Sequence, residues 1–412
     1  MARNRGFWSV GDGGGFPLNE LPERTDVAIV GAGIMGASTA YFLSTRTDLE
    51  VLLIEKDNVA SGSTGDSSAI LRHHYGGRTV YSRMAWWSHQ FYRDFEEHTG
   101  GQIAYGENPM VRFATADNRE AVQRGFEVLR DLDIPVTRFE AGELDEQFPM
   151  IETDPYEFAV SDDAAAYSDG TDAASGLARA AQEAGATVVT GVAVERIRAE
   201  GDVVTGVDTG AGSVGCDRVV VTAGPWTKQL LGHHDVEVPL RTTREEVFIL
   251  DPPDAFRDAH PDLVPTSDSG EGWYVRPDFG GGVLLATHHT GDEVDANHYS
   301  DKPDQETILR LLDELEAFVP GLAGAGIKGE YCGLYTSTPD YDFILDQIGP
   351  EGCYVGCGFS GHGFKHGPAV GRVLADLSAH GETNFVDLDY FSLDRFENQP
   401  RGHDTSGDRS PL

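Results

Sequence analysis

The chain has 412 residues, 40% of them hydrophobic, and carries 68 acidic against 31 basic side chains, a formal charge of −37. So acidic a surface repels nucleic acid and anionic lipid, which sets both aside as partners. Its lysine scarcity, 5 against 26 arginines, reads as adaptation to a cytoplasm of molar salt, where the Debye length shrinks to about 3 Å.

The opening stretch, MARNRGFWSVGDGGGFPLNE, has no hydrophobic signal core, and residues 1–23 read as a flexible tail. DVAIV (26–30) is a short apolar run of the kind found in a strand buried on both faces. GAGIMG follows, then ASTAYFLSTR with helical periodicity, then a second strand, VLLIEKD, completing a βαβ unit within about thirty residues. From Val80 onward Val80, Met84, Trp87, Phe91 and Phe95 step by three or four, which predicts a core-facing helix and gives Trp87 no catalytic role.

Residues 103–161 change character, with VRFAT as a strand and REAVQRGFEVLRDL as a helix. LARAAQEAGATVVT restores a helix–Gly–strand pattern that runs on to the buried strand RVVVTAGPW. EEVFIL, GWYVRPDF and GVLLATHH are strand-like, and DQETILRLLDELEAFV is an amphipathic helix. YVGCGFSG and the helix after it close the fold, and 397–412 reads as a second flexible tail. The nucleotide-type elements fall in three stretches, 24–102, 162–238 and 331–396, with unlike material at 103–161 and 239–330. That predicts an α/β protein in which one discontinuous domain holds an inserted one. The four cysteines show no metal-ligand spacing and no disulfide framework, so no metal is expected. No run reaches the roughly 18 apolar residues of a membrane span, so a cytoplasmic location is expected.

Gly31-x-Gly33-x-x-Gly36 sits between a strand and a helix, and Glu55 ends the next strand 22 residues after Gly33. Glycines let backbone N–H groups approach a pyrophosphate at a helix N-terminus, and the carboxylate accepts from ribose hydroxyls. An acid at Glu55 would repel a 2′-phosphate, so NADP is not expected. The fingerprint alone does not separate FAD from NAD. Small-residue turns at SGSTGDSSA (61–69) and TAGPW (222–226) supply the additional contacts a flavin needs.

Residues 356–367, GCGFSGHGFKHG, crowd five glycines, two histidines and Lys365 just ahead of a helix. A helix N-terminus favours nearby negative charge by about 0.3–1 kcal/mol, and a lysine beside it adds to that.

With GDSSAILRHHYG (65–76), YTSTPDYDFILD (335–346) and GFSGHGFK (358–365), the chain over about residues 24–396 resembles the FAD-dependent amine and D-amino-acid oxidoreductases, and most closely the sarcosine oxidases. The resemblance implies a Rossmann-like FAD-binding domain with an inserted α+β substrate domain on a mainly antiparallel sheet. It implies oxidation of the C–N bond of a small secondary or N-methyl amino acid such as sarcosine, dimethylglycine or proline, by hydride transfer to flavin N5. Arg72 and Lys365 would hold the substrate carboxylate, and Tyr274, His289, Tyr335 and His362 fall on pocket positions. His73, His74, His288 and His366 read as structural. The cofactor set would comprise Gly31, Gly33, Ile34, Met35, Gly36, Glu55, Lys56, Ser63, Thr64, Ser67, Ser68, Val194, Ala223, Gly224, Trp226, Gly358, Gly361, Gly363, Phe364 and Lys365.

Three departures from the family pattern stand out. The family's flavin-linking cysteine falls at Gly333, and Cys332 would face the other way along a strand, so the FAD is expected to be non-covalent. The lysine that promotes oxygen reduction falls at Leu285, and a second active-site arginine falls at Ala69. Both losses favour a dehydrogenase, passing electrons to a quinone or an acceptor protein, over an oxidase. The alternatives are a D-amino-acid or glycine oxidase acting on primary amines, and a non-enzymatic flavin-binding assembly or scaffold protein.

Overall fold

The computed structural model describes residues 20–260, 265–268, 272–289 and 291–398. Most of both expected tails, 1–19 and 399–412, lies outside the described residues.

Val27–Val30 is the hub of a six-stranded sheet. Its strands run in the order Ile344–Gln347, Cys353–Cys357, Arg218–Val221, Val27–Val30, Val51–Ile54 and Thr187–Val189. All neighbours are parallel except the outermost pair, Ile344–Gln347 with Cys353–Cys357. The strand Val27–Val30 is apolar throughout because both faces are covered. Val27 and Ile29 pack into one core cluster, Ala28 and Val30 into the other. On the first face lie the helices Ile34–Arg46, Gly170–Glu183 and Gly367–His380, the middle one rich in buried alanines. A side chain at Gly371 would overlap Ser38, so glycine there lets the first and last of these helices close on each other.

The second large sheet has eight strands. They run Gly326–Ser337, Arg241–Asp251, Val283–Thr287, Trp273–Pro277, Thr266–Asp268, Met110–Ala114, Phe158–Asp162 and Val136–Glu140. It is antiparallel except where Thr266–Asp268 meets Met110–Ala114. The predicted amphipathic helix is Gln305–Phe318, and its Ile308, Leu311 and Leu315 pack on Phe248, Leu250, Val275 and Leu285 of this sheet. Val247, Tyr274, Leu284 and Ala286 form a separate cluster on the opposite face. Tyr105–Glu107 does not join this sheet. It pairs with Ala166–Ser168, which also pairs with Ile70–Leu71. No helix among the described residues is long and apolar enough to cross a membrane.

Candidate functional site

The strand Val27–Val30 delivers the chain into a turn that only glycine can make. Gly31 has φ +99°, and a Cβ there would stand 2.6 Å from the Thr222 carbonyl oxygen. The helix Ile34–Arg46 starts directly after Gly33, which offers no side-chain cap, and the Ile34 N–H donates instead to Thr64 Oγ1 at 3.0 Å. Glu55, at the end of the second strand, accepts the Ala32 N–H at 2.8 Å and the Asp57 N–H at 3.0 Å. Burial pushes its carboxyl above the usual range, and these two hydrogen bonds pull the other way.

This turn forms one end of a cavity of about 440 Å³. Gly31, Gly33, Ile34 and Met35 line it from the turn and helix, and Glu55 and Lys56 from the second strand. The 61–69 turn contributes Ser63, Thr64, Ser67 and Ser68. Val194, Ala223, Gly224 and Trp226 form a further wall, and Gly358, Gly361, Gly363 and Phe364 close it beside the last helix. The Lys56 ammonium lies 3.3 Å from the centre of the Trp226 ring, and the Trp226 indole N–H donates to Asn297 Oδ1 at 2.8 Å. Gly36 does not line the cavity. A side chain there would overlap the Gly31 carbonyl oxygen, so its glycine serves the close approach of turn to helix.

A second, smaller cavity of about 30 Å³ shares Ser67, Ser68, Tyr274, Tyr335, Gly361 and Phe364 with the first. Ile70, Arg72, Met110, His288, His289 and Lys365 complete its wall. Arg72 is buried, with Nη1 donating to the His74 carbonyl at 2.6 Å and the guanidinium 4.3 Å from the centre of the Tyr75 ring. Lys365 is buried too, and desolvation, with the Arg72 charge added, holds its ammonium well below its ordinary pKa. Among the described residues no acidic side chain pairs with Lys365. Two buried cations on one cavity wall invite an anion. The Tyr274 hydroxyl donates to Ser68 Oγ at 3.0 Å and also meets the Tyr335 hydroxyl, while the His289 ring stands edge-on to Tyr335 with centroids 5.5 Å apart. His289 has φ +56° and Ser360 φ +48°, a region non-glycine residues rarely enter and one that tends to gather at functional sites.

Five of the six side chains singled out for catalysis thus line the small cavity. His362 does not. Its Nε2 lies 3.0 Å from the Tyr341 carbonyl oxygen and its ring packs against Tyr81 and Phe343. Burial holds it well below its ordinary pKa, hence neutral. His288, read from the sequence as structural, does line the cavity. Glu245 was not singled out, yet it lines the large cavity as a buried carboxylate. The available signal was the pair Glu245–Glu246 opening an apolar strand, where alternation must turn one of the two inward.

A sequence profile of the family described as FAD dependent oxidoreductase matches residues 26–377. The chain belongs to this family. It is 30% identical to a monomeric sarcosine oxidase of Bacillus sp. (strain NS-129) over 383 residues, which cover 90% of this chain and 96% of that one. Among solved structures it is similar to an L-proline dehydrogenase from P. horikoshii, with a TM-score of 0.82 and 23% identity over 92% of this chain and 99% of that one. A glycine oxidase from Geobacillus kaustophilus has a TM-score of 0.79 and 25% identity over 91% and 99%.

FAD-dependent oxidoreductases take FAD as cofactor, and the large cavity fits it. A glycine turn at a helix N-terminus suits a pyrophosphate, and a carboxylate at the end of the second strand suits a ribose. Gly333 lines that cavity, and a Cβ there would stand 3.1 Å from Asp66 Cβ. Cys332 faces away, towards Arg244 and Glu246, and burial pushes its thiol up to about 12. The expectation that Leu285 stands beside the flavin needs correction. Leu285 is buried in the core under Gln305–Phe318, while Leu284 and Ala286 share the opposite face with the cavity-lining Val247 and Tyr274. Ala69 likewise lies in a core cluster rather than on either cavity wall, where Ser67 and Ser68 stand instead.

Proposed function

We propose that this chain oxidises the C–N bond of a small secondary or N-methyl amino acid, of the sarcosine, dimethylglycine or proline kind, to an imine that water then hydrolyses. Bound FAD, held without a covalent link, supplies the hydride acceptor. One observation carries the reading: Arg72 and Lys365, both buried, line a small cavity that shares six wall residues with the cofactor cavity. Arg72 offers a carboxylate a two-pronged grip and Lys365 a second point charge. Tyr274, Tyr335 and His289 surround the remainder of the substrate and keep water from it. In this arrangement the eight-stranded sheet covers the substrate, and the six-stranded sheet with its glycine turn holds the cofactor.

The enzyme acts as a dehydrogenase rather than an oxidase. Leu284 and Ala286, on the sheet face next to the cavity, are aliphatic, and the Arg276 cation opposite Leu284 is engaged by the Ser68 and Pro277 carbonyls rather than left to stabilise the anion formed as oxygen is reduced. A second reading, a primary-amine substrate, draws support from the similarity to a glycine oxidase. A flavin-binding scaffold would have no use for two buried, converging cations. Anaerobic bleaching of the flavin by a panel of secondary, N-methyl and primary amino acids separates the three. Bleaching by secondary and N-methyl amino acids is expected. Bleaching by primary amines alone supports the second reading, and no bleaching by any of them sinks both enzymatic readings.

A further inference from the structure

Oxidation of an amino acid raises a proton problem. In water near neutral pH the substrate nitrogen is an ammonium, and the carbon beside it gives up hydride only when that nitrogen holds a lone pair. In the clamp proposed above, Arg72 and Lys365 serve as the cations that hold the carboxylate, so the proton is given another acceptor. The wall of the cofactor cavity carries a group that can take it.

Glu245 is 2% exposed and lines the large cavity from the strand Arg241–Asp251. Thr243 Oγ1 donates to Oε1 at 2.9 Å, the Gly291 N–H to Oε1 at 3.3 Å, and Thr287 Oγ1 to Oε2 at 3.0 Å. Thr287 Oγ1 itself receives the Glu246 N–H at 2.8 Å, which fixes the direction of its own hydrogen. A carboxylate offers about four acceptor sites. The three donors leave one open, on Oε2. Among the described residues no lysine or arginine pairs with Glu245.

The groups facing it come from every neighbouring element. Gly333 pairs with it on one side, with Asp66 packed behind that glycine. His288 lies just past the end of the strand on the other side, and Tyr274 and Tyr335 stand close enough to feel its charge. His288, Tyr274 and Tyr335 also line the small cavity, as do Arg72 and Lys365.

We propose that Glu245 is the base that accepts the substrate ammonium proton. The N–H bond breaks with its electron pair staying on nitrogen, and an O–H bond forms at Oε2. The assignment rests on the amino-acid reading above. Burial, which lifts the Glu245 carboxyl above the usual range, suits it to this task.

The test follows the rate of anaerobic flavin bleaching by sarcosine and by proline, from about pH 7 to about pH 10, in the wild-type holoenzyme and in Glu245→Gln. The wild-type rate should change little with pH. The variant should lose about tenfold per pH unit below the substrate amine's own pKa and close on the wild type as pH rises towards it. A purely structural role would lower the variant's rate by the same factor at every pH, and parallel profiles overturn the proposal. The wild-type profile decides alone should the variant not fold: a tenfold fall per unit there means that only free amine is used and Glu245 is no base. If neither amino acid bleaches the wild type, the amino-acid reading itself fails and takes this proposal with it.

Discussion

The Glu55 carboxylate accepts the Ala32 amide at 2.8 Å, tying the end of the second strand to the glycine turn that starts the first helix. Its other oxygen accepts the Asp57 amide at 3.0 Å, so one side chain orders both edges of the cofactor cavity. Glu55→Gln keeps the shape but loses an acceptor and the charge. FAD affinity should fall about tenfold, with a stability loss of about 1–2 kcal/mol from the weakened turn. Titration of apoprotein with FAD measures the first and thermal melting the second. Unchanged FAD affinity would mean that Glu55 serves only the turn. In the wild type the yellow colour should leave with acid or heat, since Gly333 offers nothing to bond it.

Arg72→Ala and Lys365→Ala should each raise the amino-acid concentration for half-reduction of the flavin by roughly ten- to a hundredfold. Arg72 also holds the His74 carbonyl at 2.6 Å, so Arg72→Lys is the gentler probe of the two-pronged grip. An amine without a carboxylate that reduces the wild type equally well would remove the clamp.

Adjacent leucines give a sharper test of the oxygen reaction. Leu284→Lys puts a cation on the sheet face shared with Tyr274 and should quicken reoxidation by air while leaving reduction by substrate comparatively unchanged. Leu285→Lys buries a charge beneath the helix Gln305–Phe318 and should lower the melting temperature without quickening reoxidation. Stopped-flow reoxidation reads both. A wild type that reacts with oxygen as fast as with the best artificial acceptor is an oxidase.

Acid should destabilise the fold early. Burial pushes His74 and His89 down to about 3 and holds His362 and His366 well below their ordinary range. A histidine whose folded pKa is depressed takes its proton more readily in the unfolded chain. Its stabilising effect is therefore complete above the unfolded value of about 6.5 and is lost as pH falls below it. Each of the four should cost up to about 1.4 kcal/mol in the first pH unit below that point. A melting temperature that stays flat from about pH 7 to about pH 5.5 would contradict their burial as neutral rings.

Stability should rise with salt, because the −37 charge repels itself and screening relieves that repulsion. Melting temperatures from low to molar KCl measure it. A flat or falling trend leaves plain acidity in place of salt adaptation.

Local features of the chain were legible in the sequence. The order strand, Gly31–Gly36, helix and strand ending at Glu55 follows from the backbone freedom of glycine and from short-range periodicity, neither of which needs a distant partner. Tertiary structure decided what depends on strand pairing. Pairing with Arg241–Asp251 and Trp273–Pro277 turned Leu285 into the core under Gln305–Phe318 and Leu284 onto the opposite face, which the cavity-lining Val247 and Tyr274 share, since one residue of offset exchanges the faces of a strand. The pairing of Arg241–Asp251 with Gly326–Ser337 set Glu245 against Gly333, distant in sequence, and the fold brought His288 to the small cavity while His362 packed among aromatic rings. No local spacing encodes such neighbours, because they are fixed by which surfaces the folded chain buries against each other.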